Sequence, residues 1–238
     1  MAEPERLAKR VAAMVPCSRR EAEAFIEGGF VRVDGRVIDK PEHRVSEERI
    51  EIDPKASATA AEPVTVILNK REGMTIEEAL ASLNASTQFA GGPHGHTARV
   101  LKRHFQNQTA LLPLPHEASG LTVFSQVRGV IRRLTEDALT TEQELIVQVD
   151  GKIADNGLAR LAHGLKYEGR ALPPIKVSWQ NETRLRFALK GIAPDFVPWM
   201  LEQVGLRIVA AKRIRIGRLP MAGLPEGQWR FLAPDERF

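Results

Sequence analysis

The amino-acid sequence predicts an α+β protein in two unequal parts, a small N-terminal domain and a larger one built on a mixed, mainly antiparallel sheet. Three observations carry this expectation. Residues 54–63, PKASATAAEP, are small, bounded by proline and free of hydrophobic periodicity, which is a linker composition. Ahead of them, 1–53 hold two helical patterns and several short β-rich runs. Behind them, strand-like runs outnumber helical ones and do not alternate with them regularly, so a doubly wound parallel sheet is disfavoured. The expected division is therefore 1–53, a linker at 54–63 and a large domain at 64–238.

In the small domain, ERLAKRVAAMV places Leu7, Val11, Met14 and Val15 at helical spacing. Ser18 reads as an N-cap with Glu21 as its capping-box partner, opening SRREAEAFIEGG. Ala22, Phe25 and Ile26 form that helix's apolar face, and Gly28-Gly29 end it. FVRVDGRVID follows as two β-rich pieces around Asp34-Gly35, a strong hairpin signal, and RVSEERIEID adds a further short strand. In the large domain the strand-like runs are 64–68, 121–125, 145–149, 174–179, 184–189 and 228–232. The helical stretches are 75–83, 126–138, 155–163 and 195–204, and no internal repeat is visible.

Composition excludes several classes. A single cysteine, Cys17, rules out a disulfide framework and a thiolate metal cluster within one chain. No apolar run approaches the roughly 20 residues of a spanning helix, and the polar, acidic N-terminus does not read as a signal peptide. The expectation is a cytoplasmic monomer with no membrane partner. The sequence pI of about 9.4 and net charge of +4 suit a polyanion, although 34 Lys/Arg nearly balance 30 Asp/Glu. Distribution matters more than the total. Residues 1–53 hold ten Lys/Arg against twelve Asp/Glu, whereas 54–238 hold 24 against 18. Yet in the small domain Arg6, Lys9 and Arg10 lie about one turn apart, Arg19-Arg20 open the second helix, and Arg32 and Arg36 flank the hairpin turn. Such a basic face, beside the positive end of a helix, suits phosphates. In the large domain the clusters are Arg99-Lys102-Arg103-His104, Arg128-Arg132-Arg133, and Arg207 to Arg218, with no acid between 203 and 225. If KRIRIGR is a regular strand, Arg213 and Arg215 point together, with Ile214 and Ile216 inward, and with Lys212 they offer a phosphate-facing row.

RLAKRVAAMVPCSRREAEAFIEGGFVRVDGRVI resembles the S4-type (αL-like) RNA-binding domain, in which SRREA, a Gly-rich helix end and a V-x-V-D-G hairpin recur. The resemblance implies a surface of two helices and a hairpin that reads RNA shape and backbone, and it marks Arg6, Lys9, Arg10, Ser18, Arg19, Arg20, Arg32 and Arg36 as contact positions. The remainder resembles the RsuA-type ribosomal-RNA pseudouridine synthases (the RsuA, RluB, RluE and RluF group). VILNKREGM, ASGLTVFS, ELIVQVDGKI, MLEQVGLRIV and AAKRIRIGRLPMAGLPEGQWRFL stand in that family's order. The resemblance implies rRNA or ribosomal particles as partner, no DNA, and no cofactor.

It also defines what is missing. The family's segment G-R-L-D-x-x-[ST]-S-G-L supplies the carboxylate that starts the isomerisation. In LLPLPHEASGL, anchored on Ser119-Gly120-Leu121, Leu112 falls at the glycine, Pro113 at the arginine, Leu114 at the leucine and Pro115 at the aspartate. Proline has no side-chain heteroatom and can be neither nucleophile nor general base. Leu145 falls at the tyrosine that stacks on the base and Gln143 at a lysine. In KGIAPDFVPWM, Pro194, Asp195 and Phe196 stand where the family has cations. The expectation is an RNA-binding protein of this family without isomerase chemistry. One rival is an active synthase using Glu117, two residues after Pro115, or another acid. A second is a protein–protein adaptor whose cleft is lined by Pro113, Leu114, Pro115, Leu145, Phe196 and Trp199.

The remaining chemistry-bearing residues give weaker signals. His94, His96 and His104 look metal-like, but no nearby cysteine or acid completes a set and Arg99, Lys102 and Arg103 would repel a cation. No metal is expected, and the segment reads as a loop running into a basic helix. Ser119 lacks a G-x-S-x-G elbow, and Cys17 suits packing.

Overall fold

A computed structural model describes residues 3–54, 56, 63–91 and 100–238. Most of the expected linker, together with His94, His96 and Arg99, lies outside the described residues. The chain divides into two compact units, 1–63 with 97–107, and 64–96 with 108–238. The described residues 100–107, which the sequence reading places in the large domain, thus group with the small unit.

The small unit has β1 (Glu5–Arg6), α1 (Leu7–Met14), α2 (Arg19–Glu27), β2 (Val31–Val33), β3 (Arg36–Val37), β4 (Arg44–Val45) and β5 (Ile50–Ile52). Short-range chemistry explains its corners. The Ser18 hydroxyl accepts the Glu21 N–H at 3.2 Å while the Glu21 carboxylate accepts the Ser18 N–H at 2.7 Å, the reciprocal box that starts α2. Asp34 and Gly35 both take positive φ, +49° and +77°, the I′ turn whose twist matches paired strands, and Val33 faces Arg36 across it. Leu7, Val11, Ala22, Ile26, Val31 and Val45 close the core, with Cys17 packed at its margin. Burial raises the Cys17 thiol, with the Glu21 charge adding to the effect. The segment after the histidines forms one 3-10 turn, Lys102–Phe105, rather than a basic helix. His104 is buried there, its Nδ1 accepts the Leu101 N–H, and burial lowers its imidazole, helped by Arg103. Among the described residues no metal-ligand cluster is present.

The large unit has β6 (Thr65–Lys70), α3 (Ile76–Ala81), β7 (Thr109–Leu111), β8 (Ala118–Ser125), α4 (Arg128–Glu136), β9 (Gln143–Gly151), α5 (Gly157–Ala162), β10 (Lys166–Tyr167), β11 (Arg170–Ala171), β12 (Lys176–Asn181), β13 (Arg184–Leu189), α6 (Val197–Glu202), β14 (Leu206–Ile216), β15 (Leu219–Pro220) and β16 (Trp229–Phe231). Nine strands make one sheet in the order β12-β13-β9-β14-β8-β6-β16, with β7 on β8 and β15 on β14. β8 and β14 run parallel and every other pair is antiparallel. The architecture is the expected α+β fold with a mixed, mainly antiparallel sheet. β6 is buried at all six positions, which is why TVILNK reads as an apolar run rather than an alternation. α5 and α6 cover one face through Leu161, Val197, Met200 and Leu201, packed on Leu145, Val147, Leu185 and Phe187. α4 covers another part through Leu134, with Leu121, Val123 and Ile67 beneath it.

The β8–β14 junction sets the geometry of everything that follows. Gly120 has φ +104°, and a Cβ there would lie 2.3 Å from the Arg213 carbonyl oxygen and 2.7 Å from its nitrogen. Only a residue without a side chain lets the two strands approach this closely. Gly120→Ala is expected to destabilise the protein by about 3 kcal/mol, the combined cost of a forced backbone and a clash. Urea denaturation measures it, and an unchanged midpoint would contradict the close-approach account.

Candidate functional site

The opening of β8 builds the first candidate site. Leu112, Pro113, Leu114 and Pro115 line a pocket of about 410 Å³ with Ala138, Leu139, Gln143, Ile192, Ala193, Pro194 and Asp195. Leu112 takes φ +47°, a left-handed conformation that glycine adopts freely and leucine does not, in keeping with its alignment on a glycine. Pro115 accepts the Ala118 N–H through its carbonyl and so fixes the turn into the strand. Glu117 is not in the pocket wall. Its side chain is 84% exposed and lies 4.0 Å from His116 Nδ1. The acid in the wall is Asp195, which the alignment sets at a cation position.

Two cations are buried in the neighbouring strands. The Lys70 side chain is enclosed and its Nζ donates to the carbonyls of Met74 at 2.8 Å, Arg71 at 3.1 Å and His116 at 3.4 Å. It thereby ties the end of β6 to the turn before β8. Burial lowers its ammonium; Glu117 opposes this and Arg213 reinforces it. Arg213 is fully buried and donates from Nε to the Leu121 carbonyl at 2.7 Å and from Nη1 to Gln143 Oε1 at 2.7 Å. Its Nη2 has no hydrogen-bond partner. No ion pair with a described residue reaches it, and burial pushes the guanidinium down to about 9. An unpaired buried charge is among the most costly arrangements a protein holds. Gln143 links the two features, because it both lines the pocket and holds Arg213.

The expected phosphate row on β14 does not form. Between Arg213 and Arg215 the pairing with β9 slips by one residue, Arg213 facing Leu145 and Arg215 facing Glu144. The bulge puts the two arginines on opposite faces of the sheet, which a strictly alternating strand cannot do. Arg213 goes into the core. Arg215 bonds Glu144 at 2.7 Å and also Glu142, and Arg186 bonds the same Glu144. Burial works to raise the Glu144 carboxyl, but the bonds from Arg215 and Arg186 outweigh it and hold the group below the usual carboxylate range. The acids that neutralise Arg215 come from β9 and its approach, out of sight of a local charge count. Lys212 alone of the three keeps partial exposure without an ion pair among the described residues.

The adaptor cleft is corrected in the same way. Leu145 is 1% exposed in the core, and Phe196 and Trp199 pack edge-on against Tyr167 at 5.1 and 5.2 Å. None of these three lines the pocket.

In the small unit, Arg6, Lys9 and Arg19 line one shallow groove of about 690 Å³ with Glu3, Pro4, Glu5 and Ala12. Lys9 and Arg10 pair with the half-buried Glu5, and Arg19 pairs with Glu23 at 3.3 Å, all through exposed basic side chains. Such pairs are weak and exchange readily for phosphate. Arg20 and Arg36 are exposed, Arg32 is held to the Gly35 carbonyl at 3.3 Å, and the Ser18 hydroxyl is spent on capping α2.

Comparison with known proteins accounts for both units. Residues 5–50 match the S4 domain family. An "uncharacterized RNA pseudouridine synthase" of Aquifex aeolicus is 27% identical, the alignment covering 97% of this chain and 94% of that protein. The dual-specificity RNA pseudouridine synthase RluF of Escherichia coli is 25% identical over 97% of this chain and 76% of its own. Ribosomal large subunit pseudouridine synthase B of Escherichia coli is 26% identical over 94% and 78%. The chain thus carries an S4 domain and is similar along nearly its whole length to RNA pseudouridine synthases. A crystal structure of a pseudouridylate synthase shares the fold, with a TM-score of 0.58 at 19% identity over 96% of each chain. Gln143, which bonds Arg213 and lines the pocket together with Pro115, is the residue that joins the buried guanidinium to this loop.

A carboxylate introduced at 115, which lines the same pocket as Gln143, is expected to reach that guanidinium. Pro115→Asp is expected to be more stable than Pro115→Asn by about 2 kcal/mol at pH 7, the worth of a buried hydrogen bond to a charged group. The paired carboxyl titrates below its unfolded value, so the advantage is full above about pH 4 and is lost as pH falls through the lower, folded value. Urea unfolding of both variants measures it. Equal stability at pH 7 would show that position 115 does not address Arg213.

Proposed function

We propose that the protein binds structured RNA, ribosomal RNA or a ribosomal particle, and does not isomerise uridine. The observation that carries this reading is the wall of the 410 Å³ pocket, in which Pro113, Leu114 and Pro115 present rings and methyl groups where the family pattern has an arginine, a leucine and the reactive aspartate. A ring without a heteroatom can neither attack the base nor move its proton. The exposed Glu117 supports the same reading, since a carboxylate displaced from the reaction centre by even about 1 Å loses about a hundredfold in rate. The S4 domain supports RNA as partner. Its groove of Arg6, Lys9 and Arg19, with Arg20 beside it, supplies phosphate contacts. The role that follows is ribosome-associated, in assembly, chaperoning or occupation of an rRNA site, by a cytoplasmic monomer.

One observation favours a second reading. Asp195 places a carboxylate in the pocket wall, so an active synthase would work through Asp195 rather than Glu117.

Tritium release from rRNA labelled at uridine C5 separates the two. The expected result is no release above background for the parent, Asp195→Asn or Glu117→Gln proteins. Turnover by the parent that Asp195→Asn abolishes would establish the second reading. For binding, Arg19→Ala with Arg20→Ala is expected to weaken affinity for folded rRNA fragments about tenfold or more at 100 mM salt, because two phosphate contacts are lost. Filter binding measures it, and unchanged affinity would place the RNA elsewhere.

A further inference from the structure

Most arginines on the sheet are neutralised by a neighbour. Arg186 and Arg215 share Glu144, Arg207 meets Asp150 at 2.6 Å, and Arg230 is clamped by Glu236 at 2.6 Å. The β12 edge departs from that rule. Arg160, Lys166, Arg170, Lys176, Arg184 and Lys190 are exposed, and none forms an ion pair with a described residue.

The fold gathers them. β12 is the terminal strand, exposed along nearly its whole length. The Ile175 N–H donates to the Ala162 carbonyl, so the start of β12 is bound to the end of α5, which carries Arg160. Between them the β10–β11 hairpin projects, its base closed by the bond from Leu172 N–H to the Leu165 carbonyl, bearing Lys166 and Arg170. Lys176 and Arg184 stand at the two ends of the β12–β13 pair. Lys190 follows β13, next to Gly191, whose missing Cβ would meet Pro173 at 3.1 Å. The acids between 156 and 190 are Glu168 and Glu182, both at hairpin tips. Two aromatic side chains of the same elements are partly exposed, Trp179 at 37% and Tyr167 at 38%. Trp179 stands opposite Leu185, on the core face of the β12–β13 pair, and Lys176 and Arg184 flank it from the other side of the edge strand.

Charge alone has a simple explanation, since lysines on a bare strand edge discourage pairing with other chains. That account asks nothing of Trp179 and Tyr167, and an exposed tryptophan on an edge strand works against it. Unpaired cations flanking partly exposed aromatic rings along one edge instead match how proteins hold single-stranded nucleic acid, phosphates on the cations and bases on the rings. We propose that the β12 edge, with the β10–β11 hairpin and α5, is a second RNA-binding surface that takes a single-stranded segment. It rests on the RNA-binding part of the reading above and is independent of whether the pocket is catalytic. The surface supplies the large unit's RNA contacts that the buried Arg213 and paired Arg215 cannot.

The test uses the full chain and a fluorescein-labelled, mixed-sequence single-stranded RNA of 30 nucleotides, followed by anisotropy between 50 and 300 mM KCl. Lys166→Gln, Arg170→Gln, Lys176→Gln and Arg184→Gln combined are expected to weaken binding about tenfold or more at 100 mM. They should also reduce the magnitude of the slope of log K against log salt by about 3, four contacts at about 0.7 each. Trp179→Ala alone is expected to weaken binding about fivefold or more, the loss of one stacked base. Arg207→Gln with Arg237→Gln is the control for lost charge, and circular dichroism melts confirm folding. If the four-site variant and Trp179→Ala bind as the parent does while Arg19→Ala with Arg20→Ala fails, the β12 surface is refuted and the RNA-binding reading stands. If all three bind the single strand as the parent does and Arg19→Ala with Arg20→Ala also leaves affinity for folded rRNA fragments unchanged, both fall.

Discussion

The Arg213 guanidinium lies buried on the middle strand of the nine-stranded sheet, held by the Leu121 carbonyl and by Gln143, with its Nη2 left without a partner. Its surroundings follow from that placement. Gly120 must be glycine so that β8 can run parallel to β14 at this point, and the bulge at Ile214 must exist for Arg213 to enter the core while Arg215 stays outside. Gln143 cannot be an acid's equal, because an amide oxygen accepts a hydrogen bond without balancing a charge. The loop that could supply that balance offers Pro113, Leu114 and Pro115 instead. The scaffold thus holds a costly charge that no carboxylate among the described residues balances.

The distribution of the other cations divides the molecule by role. Where a carboxylate sits across the strands, as with Arg186 and Arg215 around Glu144, the arginine contributes to the sheet and has little to offer a ligand. Where none does, as along β12 and its hairpin or at Arg20 and Arg36 of the small unit, the charge is free to meet a phosphate. The clustering of Lys/Arg along the chain did not separate these two populations. Pairing across strands did.

Legibility in the sequence follows the range of the interactions. The capping boxes at Ser18–Glu21 and Thr75–Glu78 and the Asp34-Gly35 turn involve residues three or fewer apart, and their patterns stand in the sequence. The run 184–189 is a strand with those bounds because Leu185, Phe187 and Leu189 alternate with outward residues. Leu112 takes the left-handed backbone that glycine adopts freely, a feature its sequence does not announce. What stayed hidden depends on long-range register. No local pattern announces the bulge at Ile214, so the row of Arg213 and Arg215 was expected and does not exist. Asp195 entered the pocket from a segment 80 residues away from Pro115, whereas Glu117, adjacent in sequence, turned to solvent. The β12 edge is not legible in the sequence, because its cations are spread over 31 positions and gather only in the folded sheet.

The claim at the centre of this account is that the loop at Pro115 does no chemistry on uridine. The most direct measurement is a nucleotide-resolution pseudouridine map of ribosomal RNA, by carbodiimide modification and primer extension, from cells with and without the gene. The account predicts identical maps. A pseudouridine that disappears with the gene, returns with the parent sequence and fails to return with Asp195→Asn would contradict it.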